Sequence, residues 1–437
     1  MLTASLHHNK WLFIRLPVAV FALALATFIW LVFYPMPPMR LSMTTAGEAG
    51  SYHVLGLRYA ERFAAYGVIL NVNPSQGSQQ NIERLRAGNN PSDLAFLQGG
   101  FGYLGTSPER RERSQIETLA NVAVEGAWLF VRDRSITSLA QLKGLRLSIG
   151  SEGSGSRNVA LKLLEQAQIN LKDVTLSADS GVNAAKALEQ GLIDAVFFVA
   201  PADSGTLKAM LEIQTAYLVS LSKSSAIAGR NPYLEPRLLP AGALGAGLPL
   251  RDTTLLTSTA SLVAREELHP ALKRLAIAVG LEIHTAPGLF HRGEEFPSLR
   301  RLDFPSAPQA RSTLANGLPF LERTLPFWWA QVVQRLLVVV LPILLLAVFL
   351  MRILPRLLQW RLETRLTRWY GELKFIENDL LQADLPGLDL ARFLTRLTRI
   401  EQGLLNFQCP KELMARCYTL RQHIEYVRFR LYVVRGR

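Results

Sequence analysis

The chain has 437 residues, 49% of them hydrophobic, and a formal net charge of +13. Its length excludes a single small module and allows two or three compact units. Its mean hydropathy of +0.15 is too high for an ordinary soluble composition, and the apolar excess is concentrated in two stretches.

The first stretch runs from Leu16 to Tyr34 without a charge and follows Lys10 and Arg15. A helix needs about 20 residues to cross a bilayer, so the spacing predicts a membrane helix over 16–34 after a short N-terminus, 1–15. A cleaved signal peptide is the alternative. Against it, secretory apolar cores span only about 7–15 residues and end at small residues, whereas this run ends in Phe28, Ile29, Trp30 and Phe33.

A proline-rich spacer, PMPPMR at 35–40, cannot continue a helix. Beyond it, short apolar runs alternate with helical periodicity: strand 41–45, helix 52–66, strand 69–74, helix 79–87 and strand 94–97. Alternation of this kind predicts an α/β fold. A strand near Trp128 leaves the first lobe, and helices at 139–143, 158–168 and 183–190 then alternate with strands at 146–149, 174–176 and 195–199. A strand over 255–265 crosses back, and a helix over 269–284 completes the first lobe. The expected domain therefore covers 41–320, with lobe one from 41–127 and 256–320, and lobe two from 128–255.

The second apolar stretch, 327–351, opens on Phe327, Trp328 and Trp329, an aromatic head of the kind found at membrane interfaces. After Met351 come sixteen basic and nine acidic residues. Positive charge marks the cytoplasmic side, so both termini are expected in the cytoplasm of a bacterial inner membrane, with the α/β domain outside. The basic charge is then a matter of topology, and nucleic-acid binding loses its main support. In the tail, 352–437, Leu358, Leu362, Leu366, Trp369, Leu373, Ile376 and Leu380 form a heptad-like stripe, and Pro386-Gly387 and Pro410 separate two further helices. An all-α tail is expected, with homodimerisation through the stripe and contact of its arginines with membrane lipid as open possibilities. Both cysteines, Cys409 and Cys417, fall in this tail, so the outer domain needs no disulfide.

Four segments resemble the TAXI family of solute-binding proteins, the receptor component of certain TRAP-type transporters. They are Thr44–Gly56 (TTAGEAGSYHVLG), Val72–Gln98, Leu139–Glu165 and Ala187–Ala200. The resemblance implies a two-lobed periplasmic-binding-protein fold, type II-like, that takes up a small organic solute such as a carboxylate or amino acid for TRAP permease subunits. The flanking membrane helices and the tail depart from the family's soluble pattern. They raise the alternative of a transmembrane sensor.

Candidate ligand contacts lie where strands run into helices. Gly150–Ser156 can bring backbone N–H groups and the Ser154 and Ser156 hydroxyls to an anion at a helix N-terminus, with Gly155 allowing close approach and Arg157 able to pair with a carboxylate. A strand-to-helix turn with a serine cap is the plainer alternative. Gly47, Ser51 and Tyr52 form a similar loop on the other lobe, and Ser75 and Ser78 a third. Gln98 ends a strand, Glu125 stands near the first crossing, and Phe198 follows Asp194 and is either ligand wall or core. His53 is the one histidine near these loops. No metal-ligand spacing, nucleophile motif or dinucleotide fingerprint occurs, so no catalytic residue, metal or cofactor is expected.

Overall fold

The computed structural model describes residues 2–33, 35–101, 115–221, 223–382, 390–407, 409 and 413–435. The chain divides into two compact units, 35–334 and 1–34 with 335–437.

Helix α1 (Leu2–Phe33) precedes the α/β unit. Lobe one opens with β1 (Arg40–Thr44), α2 (Ser51–Ala65), β2 (Ile69–Asn73), α3 (Ser78–Leu85) and β3 (Leu94–Gln98). Strand β4 (Ile116–Val131) carries the chain into lobe two. That lobe contains β5 (Arg146–Ser148), α4 (Gly155–Gln166), β6 (Thr175–Leu176), α5 (Gly181–Glu189) and β7 (Ala195–Ala200). It ends with α6 (Gly205–Leu211), β8 (Tyr217–Leu218), α7 (Ser224–Arg230) and β9 (Glu235–Leu239). Strand β10 (Thr253–Arg265) returns to lobe one, followed by α8 (Pro270–His284), α9 (Pro308–Asn316), α10 (Phe320–Thr324) and α11 (Phe327–Arg335).

Among the described residues, one sheet runs through both lobes in the order β2-β1-β3-β10-β4-β7-β5-β6. Strands β1, β2 and β3 are parallel, as are β5, β6 and β7, while β4 and β10 run antiparallel to their neighbours. The crossings therefore lie inside β4 and β10 and not in loops. β10 pairs with β3 over Ala260–Ala264 and with β9 over Thr253–Thr257, which puts the change of lobe near Ser258 opposite Glu125. That is slightly before Trp128, the expected position on β4. Sequence periodicity missed the first half of β4 because Asn121, Glu125 and Gly126 interrupt its apolar pattern. Asn121 is buried and bonded through both amide atoms: its side chain donates to Arg300 O at 2.5 Å and accepts from Ser261 Oγ at 2.5 Å.

Each lobe buries apolar side chains against its part of the sheet. Lobe one packs Tyr59 and Phe63 of α2 and Leu272 and Leu275 of α8 onto Phe96 and Leu262. Lobe two packs Val159, Leu163 and Leu164 of α4 onto Leu129, Leu147 and Phe197. Each such fully buried side chain contributes about 1.5–3 kcal/mol by leaving water. The expected helix at 139–143 is a 3-10 turn, Leu139–Leu142, under a Ser138/Gln141 capping box.

This unit extends beyond Phe320. Phe327 is buried in the lobe-one core, and the Trp328 indole donates to Gly67 O at 3.1 Å. The expected membrane belt is thus largely a clamp on lobe one; of the three aromatic residues, only Trp329 is exposed. The Arg274 guanidinium of α8 makes a bidentate pair with Glu322 of α10, and Gln331 Nε2 donates to the same carboxylate at 2.9 Å.

In the other unit, α1 packs along α12 (Leu341–Gln382). Among the described residues one stretch, Phe327–Ile353, is long and apolar enough to cross a membrane, with a mean hydropathy of 2.9. The apolar part of α1, Leu16–Trp30, is shorter than a full span, so a pair of membrane helices is not established. Helices α13 (Leu390–Asn406) and α14 (Met414–Arg435) complete the tail. Leu366, Leu373 and Ile376 of the heptad-like stripe are buried against Leu397, Ile400, Leu420, Ile424 and Val427 of the same chain. The Leu358 and Leu362 side chains lie outside the described residues. Cys409 and Cys417 are joined in a disulfide, an unexpected pairing for a tail read as cytoplasmic.

Candidate functional site

Three strand-to-helix loops converge at the C-terminal ends of parallel strands, where α/β sheets present groups to ligands. After β1, Gly50 N donates to Gly47 O at 2.7 Å and closes a turn leading into α2. Gly47 is exposed, and Ser51 is the first residue of α2. Tyr52 turns inward: its ring centroid lies 5.6 Å from that of Phe96, and its hydroxyl donates to Glu125 Oε2 at 2.9 Å.

After β2, the expected polar contacts are committed to holding the loop. Ser75 Oγ donates to Thr45 O at 3.2 Å and accepts from Gly77 N at 3.1 Å. Ser78 Oγ accepts from Gln98 N at 3.0 Å. Asn81 is fully buried, and its amide donates to Thr45 O and Phe96 O at 2.6 and 2.9 Å. It joins β1, α3 and β3. Its place in an amphipathic helix gave no signal of that role.

After β5, Ser154 caps α4 by accepting from Arg157 N at 3.2 Å, so the capping alternative holds for this side chain. Ser156 Oγ accepts from Val199 N at 2.9 Å and ties α4 to β7. Arg157 Nη1 reaches back to Gly150 O at 3.4 Å. The guanidinium lines an open cavity of about 420 Å³ with Gln76, Gln79, Glu152 and Ser154, residues drawn from both lobes.

The lobes touch at these loops. Gln79 N donates to Gly153 O at 3.3 Å. At Gly77, where φ is +127°, an added Cβ would stand 2.8 Å from Ser154 Cα. At Gly155 it would stand 2.1 Å from Gln98 Oε1. Gln98 is 4% exposed, and its buried Nε2 has no hydrogen-bond partner.

Register places the floor of the cleft on one face of the sheet. Ala260 pairs with both Gln98 and Ala123, and Ser258 pairs with Glu125. Side chains two residues apart on a strand share a face, so Gln98, Phe96 and Glu125 lie together beneath Tyr52. Glu125 is 3% exposed. Burial pushes its carboxyl up to about 8, against a smaller downward pull from the Tyr52 hydrogen bond. Burial and the neighbouring Glu125 raise the Tyr52 hydroxyl well above its ordinary value, so it remains a neutral donor.

These values set a stability prediction. A free glutamate titrates near 4.3; between there and about 8 the folded chain holds a proton that the unfolded chain has released. Stability from this group is therefore complete below the lower value and is lost as pH rises through the upper one. Glu125→Gln cannot ionise. Its melting temperature should match the parent's near pH 5 and exceed it near pH 9, by the equivalent of roughly 2–4 kcal/mol. Equal melting temperatures at both pH values would refute the shift.

Phe198 is corrected from possible ligand wall to core. It is 6% exposed, its ring stacks on Phe130 with centroids 6.2 Å apart, and strand alternation turns it away from the α4 face. Asp194 holds Arg146 in an ion pair at 2.7 Å. Sequence reasoning missed a second opening of about 910 Å³, where Tyr233 and Glu235 face Arg301 and Asp303. Burial and the Asp303 carboxylate push the Tyr233 hydroxyl up to about 12. Among the described residues, no His, Cys, Asp or Glu side chains group into a metal site.

Two α/β lobes sharing two long strands, with polar loops opposed at the strand ends, define the periplasmic-binding-protein class. A model of the NMT1-like family matches residues 43–273, and the chain belongs to that family. Similar solved structures include the periplasmic aliphatic sulphonate binding protein SsuA from Escherichia coli, at 17% identity over 56% of this chain and 68% of that one, with a TM-score of 0.35. A protein from Xanthomonas citri bound to ATP matches at 17% identity over 68% of this chain and 98% of that one, with a TM-score of 0.38.

Proposed function

We propose that the chain is a membrane-tethered, extracytoplasmic receptor of TAXI type, which closes its lobes on a small organic acid or amino acid and serves TRAP permease subunits. The observation that carries this reading is the opposition of Gly155 and Gln98, one from each lobe, over a buried polar floor. A ligand seated there loses its water only when the lobes meet, so its affinity for the closed form drives closure. Arg157 and the N–H groups at the start of α4 are the proposed anion contacts, with Gly47, Ser51 and Tyr52 opposite. Thermal-shift screening of the full chain in detergent against organic acids and amino acids tests the reading, because a ligand that binds only the folded state raises its melting temperature. Stabilisation by several degrees is expected; none across the panel would refute it.

A sensor is the second reading, favoured by α12. This single helix runs from Leu341 to Gln382 without a break, and its Leu366, Leu373 and Ile376 lie in the tail core. Exposed Tyr418, Tyr426, Phe429 and Tyr432 on α14 offer a face for a homodimer, and the tail arginines offer contacts for lipid. In either reading the tail is cytoplasmic.

The disulfide tests this topology. Cytoplasmic thiols are kept reduced, so a membrane-permeant maleimide should label Cys409 and Cys417 in intact cells, while an impermeant one should not. Labelling only after chemical reduction of whole cells would place the tail outside.

A further inference from the structure

Glu125 is an unusual residue for the floor of an anion site. Its carboxyl is buried at the change of lobe, and among the described residues its one hydrogen bond comes from Tyr52. Burial and that hydrogen bond are the influences on its titration, and no lysine, arginine or histidine pairs with it among the described residues. On its own, this buried carboxyl is neutralised by a proton; an ionised carboxylate held there needs a cation against it. Elsewhere in this unit, acids drawn in from the surface do have cations: the half-buried Glu117 pairs with Lys273, and the buried Glu322 with Arg274.

Among the described residues the surroundings supply no such cation. From α2 comes the neutral Tyr52 hydroxyl. His53, next in sequence, has its Nδ1 3.2 Å from Thr45 Oγ1. From β10 comes Ser258, in register with Glu125, whose hydroxyl donates to Gly99 O at 3.3 Å. From lobe two comes the start of α4, where the Arg157 guanidinium reaches back to Gly150 O. A second polar group on the same face, the Gln98 amide nitrogen, is buried and has no partner.

We propose that the missing cation belongs to the solute: Glu125 receives a protonated amine, so the receptor selects amino acids or other amine-bearing acids over simple carboxylates. The inference rests on the solute-receptor reading and narrows its ligand class. The solute's ammonium lies against Glu125, with the Tyr52 hydroxyl holding the other side of the carboxyl. Its acidic group lies toward Gln98 and the N-terminus of α4, where a free amide donor and the helix end favour negative charge. Neither group alone makes the site; the buried acid without a cation and the buried amide without an acceptor call for opposite charges on one molecule.

The test is calorimetry on the full chain in detergent, with common amino acids each set beside the acid that lacks only the amine: L-glutamate with glutarate, L-leucine with 4-methylpentanoate, γ-aminobutyrate with butyrate. At least one amine-bearing member should bind at least about tenfold more tightly than its partner. Glu125→Gln should weaken that member roughly 30- to 1,000-fold, since an ammonium would be left buried without its counter-charge, and should weaken its deaminated partner far less. Tyr52→Phe keeps the charge and should retain the preference for amine; this variant and the wild-type pairs decide the matter if Glu125→Gln does not fold. Acids that bind as tightly as their amino partners, or an unchanged affinity in Glu125→Gln, would overturn the amine site and leave the receptor reading standing. If neither class binds, both fail.

Discussion

Gly155→Val should abolish ligand-induced compaction while leaving both lobes folded. A Cβ at this position would stand 2.1, 2.5 and 2.8 Å from Oε1, Cδ and Cβ of Gln98. The first two atoms belong to a flexible end, but the third is fixed by β3, so the lobes must separate to admit the side chain. Position 155 is the first residue of α4, and the collision is with the opposite lobe, so folding of lobe two alone is spared. Loss of the closed form should weaken solute binding by on the order of 100-fold. Small-angle scattering should show a particle that stays extended with solute. Gly88→Val, where an added Cβ meets nothing within 4 Å, is the control. Normal compaction in Gly155→Val would mean that closure does not bring these loops together.

Glu322→Ala should be among the most destabilising single changes in the α/β unit. The Glu322 and Arg274 side chains are 4% and 15% exposed, and Gln331 donates to the same carboxylate. Removing the acid leaves a largely buried guanidinium without its counter-charge, a loss of about 3–5 kcal/mol. Thermal melts should show a fall of roughly 6–20 °C, taking about 2–4 °C per kcal/mol for a domain of this size. A fall of a degree or two would show that water reaches Arg274. The same pair explains why a fragment ended at Phe320 is too short: it would lose Glu322, the buried Phe327 and the Trp328 indole on Gly67 together.

The α/β alternation was legible because strands such as β3 and β7 are continuous apolar runs bounded by turns, and α4 and α8 follow helical spacing from clear caps. The loops of the site were legible for a related reason: glycine and serine between a strand and a helix have few other uses. What single residues do within those loops was not. Ser75, Ser78 and Ser156 looked like ligand donors, but their hydroxyls are used by backbone groups of Thr45, Gln98 and Val199, which lie 30, 20 and 43 residues away in sequence. Glu125 was marked as a site residue for its place near the crossing, yet nothing local indicates that Tyr52, 73 residues earlier, is its partner. Aromatic Phe327 and Trp328 read as membrane anchors because composition does not distinguish a bilayer interface from a groove on lobe one.

The two lobes share a single hydrogen-bonded sheet, with β4 paired to β10 from Ile116 to Ala127 and breaks in register at Ala260/Ser261 and Leu262/Val263. Motion between them is then an elastic twisting of a ladder, concentrated at irregular points, and not the swing of bodies on a slack tether. Such a spring returns to its rest angle when the solute leaves. It also offers a protease no loose strap to cut, so digestion should never release one intact lobe from the other through β4 or β10.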